Sequence, residues 1–217
     1  MADDLPSQVV EQLVFLVSRP DLPLSIGTTF LHAVIGLSLA LAVVIPIIFL
    51  AFLWSIDETI RTLSVVFNTV PALAWVLLLL AAFGVFSPLP IVLTVSLTLL
   101  PIMLPIATSS LKVFIGRLLE LGRLVHAPRS RSFRLIVLPA HVPLIISYVR
   151  AGLGFSVKMA MVAETFTASA GFGSRMMLAY SQGQTPQLLA LSLLAIALAV
   201  GVDLTGKWVL GWRQGWS

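Results

Sequence analysis

RLLELGRLVHAPRSRSFRLIVLP, residues Arg117 to Pro139, decides how the rest of the chain is read. Six basic residues fall between Lys112 and Arg134, namely Lys112, Arg117, Arg123, Arg129, Arg131 and Arg134, against Glu120 alone. The sequence on either side is almost wholly apolar. Lys and Arg resist translocation across a bilayer, so a basic insert in a hydrophobic protein reads as a large cytoplasmic loop. Leu118, Leu119, Leu121, Leu124 and Val125 recur at helical spacing, with Glu120 and Arg123 on another face. Pro128 interrupts that helix, and Phe133, Leu135, Ile136 and Val137 begin a second apolar pattern. Segment 112–139 therefore predicts a short amphipathic helix, a turn and a helix start, on which something outside the membrane docks.

Working outward, the composition agrees. Of 217 residues, 59% are hydrophobic and 10% charged, where soluble domains carry about 25% charged residues. Mean hydropathy is +1.06. This describes an all-α, polytopic membrane protein with a single membrane domain over 1–217, and no length remains for a separate soluble domain. The formal net charge of +4 is concentrated in one loop. Topology explains that better than nucleic-acid binding does, and no nucleic-acid partner is expected. The absence of cysteine excludes disulfides, thiolate metal sites and Cys nucleophiles. Asp3 and Asp4 at the start argue against a cleavable signal peptide.

Residues 5–19 are too short to span. Val9, Val10, Leu13, Val14, Leu16 and Val17 form a helical stripe, with Ser7 as its N-cap candidate. They read as an interfacial helix, with packing against the bundle as the alternative. Ile26 to Trp54 holds no Asp, Glu, Lys or Arg and is the first expected span. Gly27, Gly36, Ser38, Ala40 and Ala42 offer small faces for helix contact there, and Pro46 marks a kink. Asp57, Glu58 and Arg61 mark a loop. Thr62 to Leu111 is free of formal charge, and Ser87-Pro88-Leu89-Pro90 divides it into spans at about 62–86 and 89–111. A fourth span at about 141–166 contains Arg150, Lys158 and Glu164. A fifth, about 188–209, contains Asp203, with Trp208, Trp212 and Trp216 suited to an interface. Five spans with the basic loop inside put the N-terminus outside and the C-terminus inside. Arg19 and Arg175 then lie outside, and Arg61, Lys207 and Arg213 join the loop inside.

The basic stretch is similar to the "EAA" loop of ABC importer permease subunits. Glu120 stands at the motif's Glu, Leu121 and Gly122 at its alanines and His126 at its glycine, while Leu138-Pro139 keeps the Leu-Pro ending. Leu5-Pro6-Ser7 with Val9 and Leu13, Val70-Pro71-Ala72-Leu73-Ala74 with Gly84, and Ala163-Glu164-Thr165-Phe166 followed by Gly171-Phe172-Gly173 resemble segments of the nitrate/sulfonate/taurine branch, whose first span this chain would lack. Together they cover the chain from about Leu5 to Trp212. The resemblance implies a type I permease fold working as a homodimer with a second permease copy in a bacterial or archaeal cytoplasmic membrane. It also implies two ABC ATPase subunits, carrying ATP and Mg, docked on a coupling helix, and an extracytoplasmic solute-binding protein. Coupling would fall to Glu120, Arg123, His126, Ala127, Leu138 and Pro139. The solute class it favours is small anions or heterocycles such as nitrate, sulfonates, taurine or vitamin precursors. His126 would replace a glycine suited to a positive-φ turn, or Ala127-Pro128 would build that turn differently.

The chain contains no Gly-x-x-x-x-Gly-Lys-[Ser/Thr] phosphate loop, so no ATP site of that kind is expected in it. His32, His126 and His141 lie in three segments without a zinc-ligand spacing, and no metal or other cofactor is expected. No catalytic set can be nominated, because the deep acidic groups are only Glu164 and Asp203. The alternative to a transport subunit is a membrane anchor, assembly factor or membrane enzyme that holds a soluble partner through the loop.

Counting at 1.5 Å per residue puts Arg150 and Asp203 at similar depths, about 13 Å and 8 Å from the inner surface, which predicts a structural ion pair. Lys158 falls about 12 Å from the outer end of its span. By the same count Asp203 is too deep to reach it, and Glu164 lies on another face of the helix. Lys158 and Glu164 are thus candidates for the translocation pathway, with Lys158 placed to attract an anion.

Overall fold

The computed structural model describes residues 4–54, 56–110, 134–135, 138–168 and 170–211. Glu120, Arg123, His126 and Ala127, and the coupling helix expected around them, lie outside the described residues. Within those residues the fold is entirely helical: α1 (Leu5–Ser18), α2 (Asp21–Trp54), α3 (Asp57–Thr69), α4 (Ala72–Phe83), α5 (Leu89–Ser110), α6 (Leu138–Glu164), α7 (Phe172–Ser181) and α8 (Thr185–Gly211).

α5 is the hub, packing against α2, α3, α4 and α6. Its buried residues Ile91, Val95, Leu99, Met103 and Ala107 recur every four positions, one face of a helix. α2 answers with Ala33, Leu37, Ala40, Val44, Ile48 and Ala51. The two backbones meet at Gly36, where a Cβ would lie 2.6 Å from Val95 Cβ. Of the small residues expected to mediate helix contact, Gly36 and Ala40 are buried, whereas Gly27, Ser38 and Ala42 are exposed. α1 packs against α8. Leu16 is buried and Val9 and Leu13 adjoin the core, while Val10, Val14 and Val17 face outward. The expected cap shifts: Asp4 is the N-cap residue of α1, and the Ser7 hydroxyl donates back to the Asp4 carbonyl at 2.8 Å.

α2, α5 and α8 are long and apolar enough to cross a membrane, and α3 with α4 makes a fourth crossing if that bent pair counts as one. The segment expected to span at about 62–86 is bent into two helices meeting at 82°. Pro71 explains the corner. The residue before a proline is driven to extended backbone, and Val70 sits at φ −74°, ψ 120°. Pro71 then becomes the N-cap of α4, and its carbonyl accepts from Ala74 N–H at 2.9 Å. Phe67 and Trp75 stack across the bend with ring centroids 6.1 Å apart. Gly84 ends α4 at φ +81°, a conformation that suits glycine. α6, with 27 residues, is about 40 Å long. Its charged residues set it apart from the apolar helices and make it the carrier of the site.

Candidate functional site

Glu164 is the last residue of α6, and its side chain is fully buried. Burying a carboxylate costs several kcal/mol unless it is paired and hydrogen-bonded. Here every neighbour is a donor. Thr29 Oγ1–H donates to Oε2 at 2.7 Å and Gly173 N–H to the same oxygen at 3.0 Å. His32 Nδ1 stands 2.8 Å from Oε1 and serves it as donor when the proton is on Nδ1. Thr29 also accepts the Phe172 N–H at 2.8 Å.

α7 starts after Gly171, an N-cap with no side chain to satisfy the first N–H groups of the helix. Glu164 supplies that cap from α6, directly to Gly173 and through Thr29 to Phe172. A carboxylate at a helix N-terminus is also favoured by the helix dipole. The two glycines let the carboxylate in. A Cβ at Gly171 would strike the Glu164 carboxylate, and one at Gly173 would strike the Met161 carbonyl oxygen. Phe172 between them is fully buried and plugs the core. Arg175 ties α7 to the start of α2 a second time, donating to Asp21 Oδ2 at 2.6 Å and to the Asp21 carbonyl at 3.0 Å.

A second polar feature lies farther down α6. Lys158 Nζ is 3.1 Å from Asp203 Oδ2, with the two side chains 47% and 43% exposed. The pair sits in an open groove of about 400 Å³ otherwise lined by Met161, Ala195, Ile196, Ala199 and Val200. Asp203 packs directly on α6, since a Cβ at Gly154 would strike its carboxylate.

Two sequence expectations are corrected. Asp203 pairs with Lys158 and not with Arg150, whose stem instead lies beside Gly206. Depth counting failed because it set the end of α6 level with the start of α8. Lys158 is about 9 Å along α6 from Glu164 and Asp203 about 27 Å along α8 from Thr185; α7, interposed, offsets the two helices enough to bring them together. Glu164, expected beside a pathway, is enclosed on all sides. Leu138 and Pro139 form the first turn of α6. Thr29 is not singled out by the sequence, and His32 is weighed there only as a metal ligand; their trace in it is a polar pair at i, i+3 on one face of an uncharged span.

The family described as binding-protein-dependent transport system inner membrane component matches residues 35–212. A probable ABC transporter permease protein of Brucella melitensis is 29% identical over 174 residues, 79% of this chain and 70% of that protein. A putative ABC transporter permease protein of Methanocaldococcus jannaschii is 28% identical over 185 residues, 82% of this chain and 69% of its own length. A nitrate import permease protein of Leptolyngbya laminosa is 26% identical over 162 residues, covering 72% of this chain and 53% of that protein. A bundle of apolar helices, a charged helix braced at its end by a buried carboxylate, and a family match across four-fifths of the sequence converge on one assignment: the chain belongs to the inner-membrane permease components of binding-protein-dependent ABC transport systems.

Proposed function

We propose that this permease subunit forms half of the solute pathway of an ATP-driven importer, the other half coming from a second copy of the chain. The observation that carries this reading is the family match over 35–212, which takes in the basic segment together with α5, α6, α7 and α8. Segment 112–139 docks on an ABC ATPase that binds ATP and Mg, through Glu120, Arg123, His126 and Ala127. Leu138 and Pro139 link that contact to α6, so a push on the segment is delivered to the helix that carries Lys158 and Glu164. An extracytoplasmic binding protein delivers solute to the opposite face. In this reading the N-terminus is outside and the C-terminus inside, the orientation that the excess of Lys and Arg in segment 112–139 favours. Lys158 faces the pathway through its groove. Because Asp203 neutralises it, the groove offers a matched pair of charges and not a lone cation. The nitrate permease among the relatives makes nitrate the first solute to try.

The test is reconstitution in proteoliposomes with the ATPase and the binding protein, reading ATP-dependent uptake. Uptake that needs all three components supports the reading, and uptake without ATP overturns it. In the same assay Glu120→Lys, which adds a like charge beside Arg117 and Arg123, is expected to cut uptake at least tenfold, by dissociating the ATPase or by leaving its hydrolysis idle. Wild-type uptake and assembly in that variant would remove Glu120 from the coupling.

A further inference from the structure

The contacts of Glu164 join three helices that are far apart in sequence. Thr29 and His32 belong to α2, Glu164 ends α6, and Phe172 and Gly173 open α7. The residues linked are 132 and 135 positions apart on the α2 side, so the knot is tertiary and not a local turn. Both oxygens of the carboxylate are engaged and the side chain has no solvent contact. Arg175 adds a second tie between α7 and the first residue of α2. A third strand of support reaches the neighbouring loop, where Ala168 N–H donates to the Val85 carbonyl beyond α4 at 2.9 Å.

Nothing in this arrangement resembles a solute site, because no space adjoins the carboxylate. What it resembles is a joint. A short helix whose N-terminus is capped by a residue of another helix cannot tilt against that helix without exposing orphan N–H groups in a dry core. It can only move with it. Resting on the permease reading above, we propose that Glu164 is a positioning residue for transport: it makes α2, α6 and α7 one rigid unit, so that motion imposed on α6 is carried to α7 while access alternates. Thr29 is the relay that extends the cap to the first N–H of α7, and His32 fixes the second oxygen so that the carboxylate cannot rotate away. Gly171 and Gly173 are the clearance the joint needs. The motion itself then takes place elsewhere, at helix contacts that carry no buried ionic tie of this kind.

The chain has no cysteine, so spin labels can be placed without background. Leu31 on α2 and Tyr180 on α7 are both exposed. Labels on Leu31→Cys and Tyr180→Cys of one copy, assembled with an unlabelled second copy and a cysteine-free ATPase in the full complex, should give one narrow distance distribution that is the same without nucleotide and with ATP trapped. Thr29→Val removes the relay hydroxyl at almost constant volume, and Glu164→Gln keeps the shape while replacing one acceptor with a donor. Each should broaden the distribution, and each should lower uptake at least tenfold while ATP hydrolysis by the assembled complex falls less than twofold. A label distance that shifts with ATP in the wild type would overturn the proposal, since the knot would then be a moving part. So would an unchanged distribution in both variants, or uptake and hydrolysis falling in proportion, which is the mark of simple misfolding. The distance measurement needs no transported solute, so it judges the joint even if the importer reading fails in the uptake assay.

Discussion

Gly173→Ala is expected to remove most of the folded protein from the membrane. The new Cβ would meet the carbonyl oxygen of Met161 and lie 2.8 Å from Glu164 Cβ. Neither obstacle can swing aside, because one is helix backbone and the other is the root of a buried side chain. Overpacking of this kind costs about 1–3 kcal/mol and occasionally more. Relief by moving α7 outward would break the Gly173 N–H bond to the carboxylate, a charged hydrogen bond that contributes about 1.5–3 kcal/mol. The sum is a large part of the ~5–15 kcal/mol that holds a typical domain together. Gly27→Ala is the matched control: nothing lies within 4 Å of its Cβ position in α2, and Ala is favoured over Gly in a helix interior by about 0.5–1 kcal/mol. Size-exclusion profiles and thermal unfolding in detergent should therefore separate the two, with Gly27→Ala at or above wild type and Gly173→Ala aggregated or strongly destabilised. Equal behaviour would mean that the first turn of α7 does not approach Met161 as described.

The helical framework could be read from sequence because bilayer-compatible segments announce themselves by the absence of charge, as Ile26–Trp54 and Thr62–Leu111 do. What could not be read was the direction of each helix. The 62–86 segment carries no formal charge, so it reads as one span, yet its polar residues Thr62, Ser64, Asn68 and Thr69 all precede the 82° corner at Pro71; prolines inside spans are common enough to be passed over. The helix ends moved outward for a similar reason. Asp21 and Thr185 start α2 and α8 several residues before the apolar run begins, since first turns accept polar residues and proline. At the site, Glu164 and the Gly171-Phe172-Gly173 segment stood out together, yet their meaning required Thr29 and His32, more than 130 residues earlier. Sequence spacing encodes contacts within a helix; contacts between helices depend on rotation and offset, which α7 sets here. The same offset undid the pairing of Arg150 with Asp203.

Neutralising either member of the Lys158–Asp203 pair is expected to be far worse than neutralising both. Lys158→Met leaves the Asp203 carboxylate against the backbone at Gly154 with no counter-charge, and Asp203→Leu leaves an ammonium in a groove of Met161, Ala195, Ile196, Ala199 and Val200. An uncompensated charge at the centre of a membrane helix costs about 2.5–3.5 kcal/mol on insertion scales. Lys158 is half exposed and can reduce its share by snorkelling, so Asp203→Leu should be the milder single variant and Lys158→Met the harsher one. The double variant Lys158→Met with Asp203→Leu removes both charges, and replacing an ion pair by apolar groups of similar size is often neutral or stabilising. Folded yield should therefore recover to near wild type, with a coupling in the range of about 0.5–3 kcal/mol found for contacting residues. Exchanging the charges, Lys158→Asp with Asp203→Lys, should recover less. Position 203 lies directly on α6 with room for a short carboxylate beside Gly154, and a lysine there is too long for the gap. Arg150→Met combined with Asp203→Leu should show no coupling, since Asp203 takes Lys158. A double variant at 158 and 203 that is no better than the worse single would mean the two charges are not partners. If it folds as expected, its uptake in proteoliposomes separates the remaining roles: a fall of about tenfold or more, from about 1.4 kcal/mol upward, places the groove on the solute path, and wild-type uptake makes the pair a fastening between α6 and α8.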